Sequence, residues 1–216
     1  GPARPSPAIL GQASKTMEAI FLDLPVLPGL EMEVHQGLVA LAAQPWPGGA
    51  DLHRSQDQDT GYAFTLSTGI PPQIGETVTD LKPGTVGFFN ENTVDVRMVS
   101  GTLISVSKDD VLNGANTLAI EHDQGEWEIL QFRDATLVDA KTWRLKGLLR
   151  GQLGTEHVRN EAADLVSGAR VVVLDSGLNA VEMLTTDAGT EFWWRAVPSG
   201  GDIAGDLVVP KPNAFR

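Results

Sequence analysis

The sequence predicts a mainly β protein: one or two sandwich- or barrel-like units of short antiparallel strands, with minor helix. Three observations carry this expectation. Among 216 residues there are 23 Gly and 13 Pro, and these turn formers cut the chain into pieces of strand length. The apolar runs between them are short and rich in β-branched residues, which fit a pleated surface. Helix codes are few and short, the clearest being Ser107–Leu112, a Ser cap followed by Asp109 and Asp110 in the first turn and then Val111-Leu112.

Taken in order, Met17–Leu24 is a short apolar run ended by Pro25 and Pro28, and reads as a strand. Leu30–Val34 alternates weakly. Gly37–Ala43 is apolar throughout and bounded by Gly37 and Pro45, which favours a buried strand over a helix. Asp51–Arg54 and Tyr62–Ser67 read as a hairpin around the polar connection Gln56–Gly61. Glu76–Leu81 is a short extended piece, and Pro83-Gly84 a turn. Val86–Phe89 and Val94–Val99 are read as two strands with Asn90–Asn92 between them. The alternation of Val94, Val96 and Met98 puts these side chains on one face. Thr102–Val106 is an apolar, β-branched run. Thr117–Glu121, Gly125–Phe132, Ala135–Val138 and Trp143–Leu149 follow as strands. Glu156–Leu165 is helix or loop, and Ala169–Leu174 the clearest buried strand. Val181–Leu184 and Phe192–Val197 are weaker strands.

The expected organisation is a Gly1-Pro2 scar from tag removal and an N-terminal β unit over 3–84 with a Pro-rich lead-in. A second β domain over 85–197 and a flexible tail over 198–216 complete it. The scar and the missing initiating Met suggest an excised piece of a longer protein.

Lys plus Arg number 16 against 28 Asp plus Glu, a net charge of −12. Binding to nucleic acid or to an anionic membrane needs a basic face, so neither is expected. No apolar run approaches the ~20 residues of a membrane-spanning helix, so no membrane insertion is expected. With no Cys there is no disulfide framework, thiolate metal site or thiol nucleophile.

Candidate chemistry is sparse. The four His (His35, His53, His122, His157) show no metal-ligand spacing, and no metal or cofactor is expected. Asp57-Gln58-Asp59-Thr60-Gly61 opens like a calcium loop but lacks the distal ligands, and reads as a hairpin turn. Glu121, Asp123, Glu126 and Glu128 could supply the paired carboxylates of a glycan hydrolase. Alternation around Trp127 instead assigns them to a solvated strand face. There is no G-x-S-x-G elbow, and no catalytic residue is assigned. Trp46, in a Pro-Gly turn, and the pair Trp193-Trp194 are candidate platforms for sugar rings, since an indole offers flat apolar area with a polar edge. At least one of the pair would face outward. Trp127 and Trp143 are expected in the core.

The densest local code is Leu145–Glu156. Leu145, Leu148 and Leu149 are expected to be buried. Arg150 leads into Gly151-Gln152-Leu153-Gly154, a G-x-x-G turn with one or both glycines at positive φ. Thr155-Glu156 then reads as the cap of a short helix. Arg150 is expected to meet a carboxylate or backbone carbonyl, although no basic cluster or acid pair is read beside the stretch.

Several words now stand in order: Leu-Asp-Leu-Pro at 22–25, Gly-Thr-Leu-Ile-Ser-Val-Ser at 101–107, Leu-Asn-Gly-Ala-Asn-Thr-Leu-Ala-Ile at 112–120 and Trp-Glu-Ile-Leu-Gln-Phe-Arg at 127–133. Leu145–Glu156 and Gly-Ala-Arg-Val-Val-Val-Leu-Asp at 168–175 follow. Together they resemble the C-terminal part of the large tail-tip protein of gene transfer agents and related siphophage-like particles. This is the "megatron", or host-specificity, family, whose members also contain a TIM barrel. The resemblance spans about 5–185 and is strongest over 94–175; Arg150, Gly151, Gly154, Thr155 and Glu156 form its most specific word. It implies a structural module of a tail tip or baseplate, made in the bacterial cytoplasm and located in the particle. It further implies other tail and baseplate proteins as partners and a trimer in the particle, leaving the separate fragment free to be monomeric. It also implies contact with the host surface and no catalytic residues in this segment. A carbohydrate-binding module for host surface polysaccharide is the alternative, and a glycan hydrolase the third reading.

Overall fold

The computed structural model describes residues 16–24, 36–123, 125–205 and 208–216. The weak alternation at Leu30–Val34 lies outside them. Among the described residues thirteen strands form three sheets, all with antiparallel pairing. A closed barrel holds β5 (Ile74–Thr77), β6 (Val94–Ser100), β7 (Thr117–Glu121), β8 (Trp127–Asp139), β9 (Thr142–Gln152) and β10 (Arg170–Val173), in the order β10-β5-β6-β9-β8-β7. A three-stranded sheet places β2 (Gln36–Ala42) between β1 (Glu18–Leu22) and β11 (Asn179–Glu182). A four-stranded sheet has the order β13 (Lys211–Asn213), β12 (Phe192–Pro198), β3 (Ala50–Ser55), β4 (Ala63–Thr68).

The three-stranded sheet is the middle layer. Because strand side chains alternate, one strand can serve two cores. Phe21, Val39, Leu41 and Val181 meet Leu52, Phe192 and Trp194 of the four-stranded sheet. Ile20, Leu22, Leu38 and Ala40 face the other way, against Ala119, Trp127 and Val172 on the outside of the barrel. Burial on both faces explains why β1 and β2 read as unbroken apolar runs. The barrel interior holds Val94, Val96, Met98, Leu118, Ile120, Phe132, Leu145, Leu148 and Val171. Gly147 has φ +67°, and this kink lets Leu145 and Leu148, three residues apart, both face inward.

The mainly β class, the minor helix and most strands agree with the sequence reading. Helix α1 (Lys108–Leu112) has Ser107 as its cap: Asp110 N–H donates to Ser107 Oγ at 3.1 Å, and the Asp110 side chain accepts in return. Four expectations are corrected. Val86–Phe89 is a loop, touching the barrel through a single parallel bridge between Val86 and Arg150. Ala135–Val138 is the second half of β8, because bulges let the strand bend with the barrel and keep pairing. The strand pairing does not follow a boundary at 84/85: β5 lies before it but closes the barrel, while β11 to β13 return to pair with or pack against the N-terminal strands. The tail over 198–216 is no free end in its described part, since β13 pairs with β12 and Phe215 is buried against Phe21 and Trp194. There Lys211 Nζ donates to Ala19 O at 2.8 Å, and burial lowers the pKa of that ammonium.

Candidate functional site: a buried arginine clasp beneath an exposed loop

Arg150 is a buried polar residue at one edge of the barrel. It stands near the end of β9, is 2% exposed, and faces Glu128 of β8, which is fully buried. The pair is bidentate: Arg150 Nε donates to Glu128 Oε2 at 2.7 Å and Nη2 to Oε1 at 2.8 Å. Two more donors complete the carboxylate. Gly151 N–H reaches Oε2 at 2.9 Å, and His122 Nε2 lies 2.8 Å from Oε1. An ionised carboxylate only accepts, so Nε2 is the protonated nitrogen of His122. Burial pushes the Glu128 pKa up, but the hydrogen bonds from Arg150 and His122, the Arg150 charge and Gly151 N–H outweigh it and hold the carboxyl at about 2. With four donors in place, Glu128 has little capacity left to take up a proton. It is built to stay charged.

The sequence reading placed Glu128 on a solvated strand face, and this is corrected; the expectation that Arg150 meets a carboxylate or backbone carbonyl agrees with the structure, where it meets both. The alternation argument holds only where one face of a strand meets water. In β8 both faces are covered, Trp127 by the three-stranded sheet and Glu128 by Arg150 and His122. Glu126 is exposed as expected. A usable signal was present, one acid and one base each set alone in an apolar strand: Trp-Glu-Ile-Leu and Leu-Leu-Arg-Gly.

The G-x-x-G turn serves the clasp. Gly151 and Gly154 have φ +56° and +80°, and Leu153 between them +54°. At Gly151 a Cβ would lie 2.9 Å from Glu156 Cα, so the glycine also permits close approach. Thr155 does not cap the following 3-10 turn (Glu156–Val158) with its side chain. Its hydroxyl instead accepts from Ile129 N–H at 2.9 Å and donates to Gln152 O at 2.7 Å. The β8–β9 register shifts beside Ile129, so Thr155 satisfies a donor that the ladder leaves over. Glu156 is exposed.

The clasp fixes the loop that follows β5. Arg150 Nη1 donates to Lys82 O at 2.6 Å, and Arg159, with its side chain 5% exposed, donates to Gly84 O. Asn90 exchanges backbone hydrogen bonds with Leu148, both 2.8 Å, and Asn92 Nδ2 reaches Pro83 O at 3.2 Å. Held this way, the loop lifts Phe88 into solvent, 71% exposed. Phe88 lines an open groove of about 1140 Å³ between the loop and Glu156, His157, Arg159 and Glu161. Residues 72–172 match the family described as Rcc01698-like, C-terminal. The Rcc01698-like segment runs from just before β5 to within β10. It therefore coincides with the barrel, and it contains the whole clasp and the Phe88 loop. No curated protein matches the chain.

The tryptophans do not assemble a common platform. Trp194 is 1% exposed and forms the centre of an aromatic core with Phe21, Phe192 and Phe215, so it cannot stack on a sugar. Its neighbour Trp193 points the other way and is half-buried, as strand alternation requires. Trp46 is half-buried against the same core. Trp127 is buried, and Trp143 packs partly against the barrel interior. Among the described residues no group of three His, Asp or Glu is placed to hold a metal ion.

Proposed function

We propose that this protein is a structural module of a phage-like tail tip or baseplate, of the gene transfer agent type. The reading is that it works by protein–protein contact, in a trimeric assembly with other tail proteins, at the end of the particle that meets the host cell. The observation that carries it is the coincidence of the barrel with the Rcc01698-like segment, a family name associated with gene transfer agents. The geometry supports it physically. A loop without regular structure is fastened by two arginines whose side chains are covered and left with a bare phenylalanine at its crest. A rigid aromatic side chain beside a groove suits an interface anchor, because little freedom is lost on binding.

The test is made in particles that carry the full tail protein. Phe88→Ser should leave the module folded and lower the yield of complete particles seen by electron microscopy, or their adsorption to cells. Removing residues 16–216 should abolish one or both. Normal yield and adsorption after that removal would overturn the proposal.

A further inference from the structure

A second cavity, unrelated to the Phe88 groove, lies where the barrel meets the three-stranded sheet. It is about 570 Å³, within the range of roughly 300–1,000 Å³ usual for small-ligand sites. Leu38, Leu153 and Leu178 provide an aliphatic wall. Its polar side chains are Gln131, Gln152 and Asp175, together with Asn113, Thr117 and Ser176. No Lys, Arg or His lines it, which disfavours an anionic ligand.

Gln131 has a fixed orientation. It is 7% exposed, and its Nε2 donates to Val111 O at 2.7 Å and to Ala115 O at 2.9 Å. Two carbonyl partners admit only the amide nitrogen on that side. Its oxygen is turned the other way and meets no protein donor among the described residues. Gln152 spends one amide hydrogen on Arg150 O at 2.9 Å, so the clasp also sets this side chain. Asp175 is steadied by Gln73 Nε2 at 2.6 Å and Gly177 N–H at 2.9 Å. The pocket therefore offers preset acceptors, a spare amide donor and an aliphatic face. A ligand that fits has several hydroxyls on its edge, an apolar C–H face and no negative charge.

We infer that this pocket binds one neutral sugar ring, with the ring's C–H face on Leu153 and Leu178 and its hydroxyls on Gln131, Gln152 and Asp175. The proposal is independent of the Phe88 surface and of the tryptophans.

Saturation-transfer NMR tests it, using the methyl glycosides of glucose, galactose, mannose and N-acetylglucosamine at about 10 mM, enough to fill most of a millimolar site. At least one should receive saturation mainly on one ring face. Ser176→Trp and Ala180→Trp, both at exposed lining positions, should reduce the signal at least tenfold with folding intact. Gln131→Met should weaken it to a similar degree, and Trp46→Ala and Trp193→Ala should leave it unchanged. Four results would overturn the inference: no transfer to any glycoside, transfer that survives both Trp insertions, equal transfer to glycerol, or perturbation of the pocket by a short uncharged peptide and by no glycoside.

Discussion

The barrel and the sandwich beside it solve the same packing problem with opposite chemistry. The sandwich closes on rings: Trp194 lies 5.2 Å from Phe21 and 5.9 Å from Phe215, centroid to centroid, with Phe192 alongside. The barrel, built almost wholly of aliphatic side chains, carries at one edge an ion pair with no access to water. Rings hold many partners weakly and in no fixed direction. The guanidinium holds few, but at set angles. The sandwich therefore gains stability from area, while the barrel uses directed bonds to fix a loop that has no sheet of its own. A buried ion pair is a poor source of net stability but strong in specifying geometry, because either ion left alone is severely penalised. At Arg150 that specificity extends to Lys82 O and the Phe88 loop.

The largest expected effect is on the aromatic side. Trp194→Ala should destabilise the protein by about 3–5 kcal/mol in denaturant titrations, in the range of large-to-small aromatic substitutions in a core. Trp193→Ala should cost well under half as much. Equal effects would show that the sandwich does not depend on its central ring.

Arg150→Met comes next, at about 3–4 kcal/mol, since it strands the Glu128 charge. The double variant Arg150→Met with Glu128→Leu should recover most of this loss. It should still leave amide exchange over residues 82–92 faster than in the parent, because the hydrogen bond to Lys82 O is gone. Recovery of both stability and protection would mean that the pair has no positioning role.

Acid separates the two regions without a substitution at either core. The folded-state pKa of Glu128 is depressed from 4.5 to about 2. The stabilisation it gives is therefore complete above about pH 4.5 and is lost as pH falls towards 2. A shift of this size corresponds to on the order of 3 kcal/mol. Stability measured from pH 5 to pH 2 should fall steeply, and protection of the Phe88 loop should fall with it. Glu128→Gln should be less stable at pH 7 and lose less on acidification. An unchanged slope in that variant would remove Glu128 from the acid response.

What the sequence disclosed follows the same division. Helix α1, the β3–β4 hairpin and most of the barrel strands were legible because their codes are local: a cap, a turn, an alternation. The positive φ at Gly151 and Gly154 was legible for the same reason. The Arg150–Glu128 pair was not, since nothing within 22 residues of chain says that β8 has two covered faces. Nor was the last sandwich strand. Lys211–Asn213 sits among prolines that read as an end, and the fit of Phe215 shows only in three dimensions, against Phe21, Trp194 and Gly37, where an added Cβ would lie 2.3 Å from its ring. Thr155 looked like a cap and proved to be the partner of a bulge, which register alone could announce.

The smallest effect tests how local the clasp is. Gly151 and Gly154 share a positive φ, so replacing either with Ala incurs a conformational penalty of roughly 1–2 kcal/mol. Their surroundings differ: nothing lies within 4 Å of a Cβ at Gly154, whereas at Gly151 it would press on Glu156 Cα at 2.9 Å and Val86 Cγ2 at 3.0 Å. Gly154→Ala should show the conformational penalty alone, with loop exchange unchanged. Gly151→Ala should cost more and also speed amide exchange over 82–92, since the backbone N–H on Glu128 and the neighbour of Val86 would both have to move. In neither variant should exchange at the four-stranded sheet change by more than the global loss of stability requires. If Gly151→Ala and Gly154→Ala prove equal, the turn is only a bend. If they differ as expected, the Gly at 151 is there for the close approach that brings Arg150, Glu128 and the loop together.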